Sequence, residues 1–321
     1  MKYLQVGSLT LSVIGLGTWQ IGTRSWGWGT EYGPTIVEEI LDAAVESGIN
    51  LIDTAELYGQ GESERQLGIH LSNISDTCIV ASKGSPWHLT NGSVVKAANR
   101  SLQRLNRTSL DLYQIHAPNP LIPISRTMSG IRTLIQEGKV REVGVSNYSP
   151  VRWKYAERAL GSTVIMNQVE CSLLHPKPFS VFEPMLDANH FLMAYSPLAM
   201  GLLTGKYGPQ RKPAGARSKH SAFGQRNYHN VIKVLEVTQR IAKSHLAMVS
   251  QIALAWIISH PNVIAIPGAK SAEQVKQNAA AAEIELSESE IAALDDISNS
   301  YSPALHIPSV FEGFKWLVGV G

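Results

Sequence analysis

Apolar and polar positions follow two rhythms along this chain, and the rhythms take turns. Short β-branched runs are each followed by a segment with apolar residues at helical spacing. VIGLGTW (13–19) precedes PTIVEEILDAAVESG, where Ile36, Val37, Ile40, Leu41, Ala44 and Val45 share one face and Gly48 suits the position just past a helix end. NLIDTA (50–55) precedes ESERQLGIHL, CIVASK (78–83) precedes GSVVKAANRSLQRL, LDLYQIH (110–116) precedes ISRTMSGIRTLIQEG, and VREVGVS (140–146) precedes PVRWKYAERAL. TVIMNQVE (163–170) leads through a loop to SVFEPMLDANH, FLMAYSPL (191–198) through a long insertion to NVIKVLEVTQRIAKSH, and NVIAIPGAK (262–270) to SAEQVKQNAAAAEI. Eight strand–helix units predict an α/β fold, the (β/α)8 TIM barrel.

Around that barrel, Gly7 between YLQV and LTLS predicts an N-terminal hairpin over 1–12, plugging one end. SESEIAALDDI predicts an extra helix opened by a capping box of Ser287 and Glu290, and 297–321 forms a C-terminal tail. No low-complexity linker divides the chain, so 1–321 is expected to be one domain. A doubly wound sheet is the alternative, but GLGTWQ (15–20) carries Gln20 where its dinucleotide turn needs a third glycine.

Composition narrows the class. With 321 residues, 44% hydrophobic and 17% charged, the chain can bury a sizeable core. A net charge of +2 without long runs of either sign leaves no electrostatic footprint for nucleic acid. MKYLQVGSLTLS lacks a signal-peptide core, and no run reaches the roughly 18 apolar residues of a membrane span. Cys78 and Cys171 sit in apolar runs and read as buried thiols of a reducing compartment. The expectation is a cytoplasmic protein that binds neither membrane nor nucleic acid, with homo-oligomer formation left open.

Polar residues gather at the C-terminal ends of the expected strands: Asp53, Lys83, His116, Ser146, Asn147, Gln168, Tyr195 and Ser196. Active sites of this fold lie at that face. Taken singly, each has an ordinary reading as a turn former, a solvated strand end or a satisfied hydrogen-bonder. Together they supply acid–base chemistry. A tyrosine with a pKa of about 10 is a sluggish acid, and a nearby ammonium lowers it. Lys83 is the candidate ammonium, and Asp53 would hold it charged and aimed. GVSNY (144–148) fails as a nucleophile elbow because Tyr148 takes the last glycine's place. The ten histidines are scattered without H-E-x-x-H, so no metal is expected.

DTAELYGQGESE (53–64), the lysine of VASKG, the histidine of YQIHAP, VGVSNYS, NQVE, YSPLAMGLLTGKY and IPGAKSAEQVKQN, in that order, resemble the aldo-keto reductases, and the match runs from about residue 4 to 296. The branch it looks most like is bacterial, with GAK-x-x-x-Q near the C-terminus; the potassium-channel β-subunits are related. The resemblance implies a barrel that binds NADPH or NADP+ in extended form and reversibly reduces an aldehyde or ketone. It implies a catalytic tetrad of Asp53, Tyr58, Lys83 and His116. A cofactor-sensing subunit with slow reductase activity, like the channel β-subunits, is the alternative it leaves.

For the cofactor the resemblance implies Gly17, Thr18, Trp19 and Asp53 at the mouth. Ser146, Asn147 and Gln168 would hold the carboxamide. Tyr195 would stack on the nicotinamide, beside Ser196, Pro197 and Leu198. The basic insertion 204–228 is expected to fold over the pyrophosphate, with Gly201, Leu203 and Lys206 as contacts. Gly268 would lie close by. Lys270 and Ser271, at a helix start, would hold a 2′-phosphate, with Gln274 and Asn278 on the same face. Gln274 and Gln277 stand where many relatives carry arginine and glutamate. Ser271 and Gln274 also read as a capping box. Substrate contacts are expected from Trp19, Trp26, Tyr58, Trp87, His88 and His116, whose aromatics favour an apolar or aromatic carbonyl compound. The apolar tail 301–321 either covers the pocket or buries itself against another subunit.

Overall fold

The computed structural model describes residues 1–71, 78–208, 210–213 and 223–302, with Gln225 and Arg226 as backbone alone. Strands β1 (Tyr3–Val6) and β2 (Leu9–Ser12) pair as an antiparallel hairpin. Eight parallel strands follow in sequence order: β3 (Leu16–Gly17), β4 (Leu51–Asp53), β5 (Ile79–Gly84), β6 (Leu110–Ile115), β7 (Val140–Ser146), β8 (Met166–Glu170), β9 (Phe191–Tyr195) and β10 (Val263–Ala265). Bridges Ile14–Ala265 and Gly17–Gly268 close the first strand onto the last. A Cβ on Gly17 would lie 2.7 Å from the Ile266 carbonyl oxygen, so the seam needs glycine there.

The period-2 pattern sorts the strands' side chains into layers. Leu51, Ala81, Leu112, Met166, Met193 and Ile264 fill the lower interior, and the hairpin packs Val6, Leu9 and Leu11 beneath them. Two residues further along, β4, β5, β6 and β8 present Asp53, Lys83, Gln114 and Gln168, all buried. The polar layer therefore rests on an apolar floor.

The outer layer comprises α1 (Thr35–Glu46), α2 (Glu62–His70), α3 (Asn91–Leu105), α4 (Ile124–Gln136), α5 (Pro150–Leu160), α6 (Lys177–Phe182), α7 (Gln225–Ser244), α8 (Val249–Ser259), α9 (Ala272–Ala280) and α10 (Glu288–Ser300). Ser149 caps α5 ahead of Pro150, and Ser287 with Glu290 forms the expected capping box of α10.

Two elements differ from the sequence reading. The helix expected over SVFEPMLDANH instead starts at Lys177 and gives way to a 3-10 turn at Glu183–Met185, because Pro184 cannot continue the α-helical ladder. The seventh unit carries two helices, not one. The helix expected there, α7, packs on α8 and α10, while the unforeseen α8 packs on β10 and belongs to the barrel layer. Among the described residues no single helix is long and apolar enough to cross a membrane. Part of the basic insertion (209, 214–222) and most of the tail (303–321) lie outside the described residues.

Candidate active site

The Lys83 ammonium has three protons and three oxygen partners. It donates to Asp53 Oδ1 at 2.5 Å, to the Thr54 carbonyl at 2.9 Å and to the Tyr58 hydroxyl at 3.1 Å. Its side chain and that of Asp53 are 0% and 1% exposed. The second Asp53 oxygen accepts from Gln168 Nε2 at 2.8 Å and Gln114 Nε2 at 3.2 Å. A buried ion pair persists only when its remaining hydrogen-bonding capacity is met, and here both partners are saturated.

Backbone strain at the β4 loop aims the tyrosine. A 3-10 turn, Tyr58–Gly61, contains Gly59 at φ 56° and Gln60 at φ 57°. A Cβ on Gly59 would lie 2.3 Å from the Gly22 carbonyl oxygen, so only glycine lets this turn pack against the first loop. Tyr58 accepts the Lys83 hydrogen bond, which leaves its own proton for another acceptor. Trp19 lies 6.2 Å from its ring and His116 meets it edge-on at 5.7 Å.

The electrostatics correct one expectation. Burial pushes the Tyr58 phenol up, Lys83 pulls it down and Asp53 pushes it up again; the net pKa stays above the ordinary tyrosine value rather than below it. Burial is the largest cause, and the carboxylate that holds the ammonium offsets part of its pull. Burial opposes the charge on Lys83, but Asp53 and Tyr58 outweigh it and raise its pKa. The resting site therefore pairs a charged lysine with a protonated phenol.

Burial, and then the Lys83 charge, lower the His116 pKa to about 3, so the imidazole is neutral at ordinary pH. Its Nδ1 is buried with no partner. Because an unfolded histidine takes a proton near pH ~6.5 and the folded one does not until about 3, stability falls as pH falls through that window. His116→Gln should lessen the loss. Urea midpoints at about pH 7 and pH 4 check this, and an equal decline in both proteins would mean that His116 charges as readily folded as unfolded.

Other expected residues gather at the same mouth. Tyr195 donates to Asn147 Oδ1 at 3.1 Å, and Asn147 Nδ2 donates to Ser146 Oγ at 3.0 Å. Asn147 at φ 59° and Ser196 at φ 49° turn the chain sharply after β7 and β9. Thr18 bonds the Asp53 carbonyl by N–H at 3.0 Å and by hydroxyl at 2.9 Å. Gly201 and Leu203 both spend their N–H on the Leu198 carbonyl, and the Leu203 side chain is buried, so these two build the turn instead of offering donors. Lys206 is exposed.

At the last strand's loop the picture differs from expectation. Ser271 accepts from Gln274 N and caps α9, but Gln274 Oε1 reaches past it to Lys270 N, so the reciprocal capping box does not form. The Lys270 ammonium donates to the Trp26 carbonyl at 2.5 Å and pairs with Glu31 Oε2 at 3.1 Å. Asn278 is buried one turn further on.

Among the aromatic residues, Trp26 meets Trp19 edge-on at 5.1 Å, whereas Trp87 is 43% exposed on the outer rim. His88 is held by Glu56 Oε1 at 2.6 Å, an oxygen that also accepts from Ser85 N at 2.5 Å. Gln114 and Glu56 were not foreseen. The signal for Gln114 was its two-residue step from His116 on an inward face; Glu56 offered none.

Known proteins were compared with the chain. The model of the Aldo/keto reductase family matches residues 13–299. An uncharacterised oxidoreductase of Mycobacterium bovis is 44% identical over 94% of this chain and 94% of its own. Two Escherichia coli proteins are also similar: a methylglyoxal reductase, 33% identical over 90% of this chain and 92% of its own, and an NADH-specific methylglyoxal reductase, 30% identical over 94% and 99%. An aldo-keto reductase of Klebsiella pneumoniae solved in complex with NADPH superimposes with a TM-score of 0.73 at 30% identity, covering 95% of this chain and 98% of that one. With the family model matched across nearly its whole length, this chain belongs to the aldo/keto reductase family.

Proposed function

We propose that this protein is an NADPH-dependent carbonyl reductase that converts a small aldehyde or ketone to the alcohol, reversibly. The observation that carries the reading is the saturated Lys83, whose hydrogen bond to the Tyr58 oxygen leaves the Tyr58 proton for an acceptor at the mouth. NADPH, when bound, would supply the hydride. Everything else falls to the chain's own side chains.

Tyr58 donates the proton to the carbonyl oxygen. Its resting pKa is high, so it enters every cycle protonated. The contribution of Lys83 comes as the proton leaves, when its ammonium, 3.1 Å away, meets a growing negative charge on the phenol oxygen. Neutral His116 bonds and orients the substrate oxygen without adding charge. Gln114 and Gln168 hold Asp53, and Asp53 holds Lys83.

The residues that would hold the cofactor fit such a ligand. Tyr195, Asn147 and Ser146 form a bonded row at the mouth, with an aromatic ring at one end and amide and hydroxyl groups along it. The capped start of α9, a helix of nine residues, offers backbone N–H groups and a positive dipole end beside Lys270. Gly17, Thr18 and Asp53 lie buried behind the mouth, with the Thr18 N–H and hydroxyl both spent on the Asp53 carbonyl, and Trp19 and Trp26 supply apolar walls for a substrate.

An NADPH-consumption screen over aldehydes, ketones and sugars tests the activity. Fluorescence titration of Lys270→Met with both cofactors tests the selectivity. One charge-assisted contact contributes about 1.5–3 kcal/mol, so NADPH affinity should fall roughly ten- to a hundredfold with NADH nearly unchanged. Equal loss for both would reject Lys270 as the phosphate reader, and no consumption with any carbonyl compound would reject the reductase.

A further inference from the structure

In this fold Lys270 already has an anion. Its ammonium lies 3.1 Å from Glu31 Oε2, donates to the Trp26 carbonyl at 2.5 Å and sits 4.7 Å over the Tyr32 ring. These three groups belong to one loop, between β3 and α1. The same loop is tied a second time, since Tyr32 donates to the Gln20 carbonyl at 2.9 Å and Gln20 Nε2 donates to the Ala269 carbonyl at 2.7 Å. A clasp thus joins the first loop of the barrel to the last, across the closing seam.

We infer that Glu31 tempers the cofactor selectivity of this protein by occupying on Lys270 the place that a ligand's 2′-phosphate would take. This rests on the proposed role of Lys270. A phosphate arriving there brings up to two negative charges against the one of Glu31, and it must displace that carboxylate or share the lysine with it. A dinucleotide without the phosphate leaves the pair intact. Glu31 therefore handicaps NADPH and leaves NADH untouched. The pair is half open to water, with side chains 23% and 50% exposed, so screening keeps the handicap small.

Displacement also has a route into the catalytic pocket. Trp26, whose carbonyl is bound to Lys270, meets Trp19 edge-on at 5.1 Å, and Trp19 lies 6.2 Å from Tyr58. Loosening the clasp changes the surroundings of two tryptophans, and their emission reports it without turnover.

The test is equilibrium titration of NADPH and NADH onto wild type, Glu31→Gln and Lys270→Met, followed by tryptophan emission. Glu31→Gln is expected to lower the NADPH dissociation constant about two- to five-fold, the range of an exposed ion pair, with NADH unchanged. Lys270→Met weakens NADPH selectively if the underlying reading holds. An unchanged or raised NADPH dissociation constant in Glu31→Gln, alongside selective loss in Lys270→Met, overturns the role of Glu31 and leaves Lys270 as the phosphate reader. Equal effects of Lys270→Met on both cofactors overturn both.

Discussion

Single-turnover reduction of a simple aldehyde by the Tyr58→Phe variant is expected to fall about 10²–10⁴-fold, the usual contribution of a positioned general acid. The ring keeps its contacts with Trp19 and His116, so packing survives. Lys83 loses one of three acceptors, which costs on the order of 1–3 kcal/mol of stability. NADPH affinity should hold, because the residues proposed to grip it lie elsewhere on the rim. Measuring NADPH affinity beside the single-turnover rate separates these effects. A variant that reduces aldehyde at nearly the wild-type rate would make the phenol a loop aromatic and remove the basis of the proposed chemistry.

The Lys83→Met variant should be the one that struggles to fold. Methionine matches the lysine in length but leaves the Asp53 carboxylate buried without its cation. Breaking a buried pair from one side costs about 3–5 kcal/mol, and denaturant midpoints should show it. Adding Asp53→Asn to Lys83→Met removes the stranded charge and should restore part of the loss, a coupling that a double-mutant cycle reads directly. Activity should follow different arithmetic. Tyr58→Phe combined with Lys83→Met should be little slower than the slower single variant, because residues that act as one unit are not additive. Full stability in Lys83→Met would mean that Asp53 finds other compensation. Multiplicative losses in the double variant would mean that Lys83 and Tyr58 serve separate steps.

The barrel was readable because strands and helices alternate cleanly, and because apolar periodicity survives wherever one face meets water. It failed where that contrast is missing. VSQIALAWIIS, which forms α8, has Ile252 through Ile257 all buried, so no stripe marks it as amphipathic, and the more patterned α7 carries the stronger helix signal. The Asp53, Lys83 and Tyr58 cluster was legible from strand-end position and family order, and its hydrogen bonds follow from ordinary ammonium valence. The direction of the Tyr58 pKa was not legible. It depends on how far Asp53 cancels Lys83 and on how much water the loops exclude, and neither distance nor exclusion is written in a local motif. Glu31 was invisible for a similar reason, since its partner lies across the barrel seam, far away in sequence.

The hairpin beneath the barrel has a consequence for proton traffic. Val6, Leu9 and Leu11 are at most 1% exposed and close the floor with hydrocarbon beneath the charged layer. Lys83 touches three oxygens, and of these only the Tyr58 hydroxyl leads toward the mouth. On the proposed chemistry, a proton given up by Tyr58 would be recovered through the entrance that admits substrate, and refilling the acid would wait until that entrance clears.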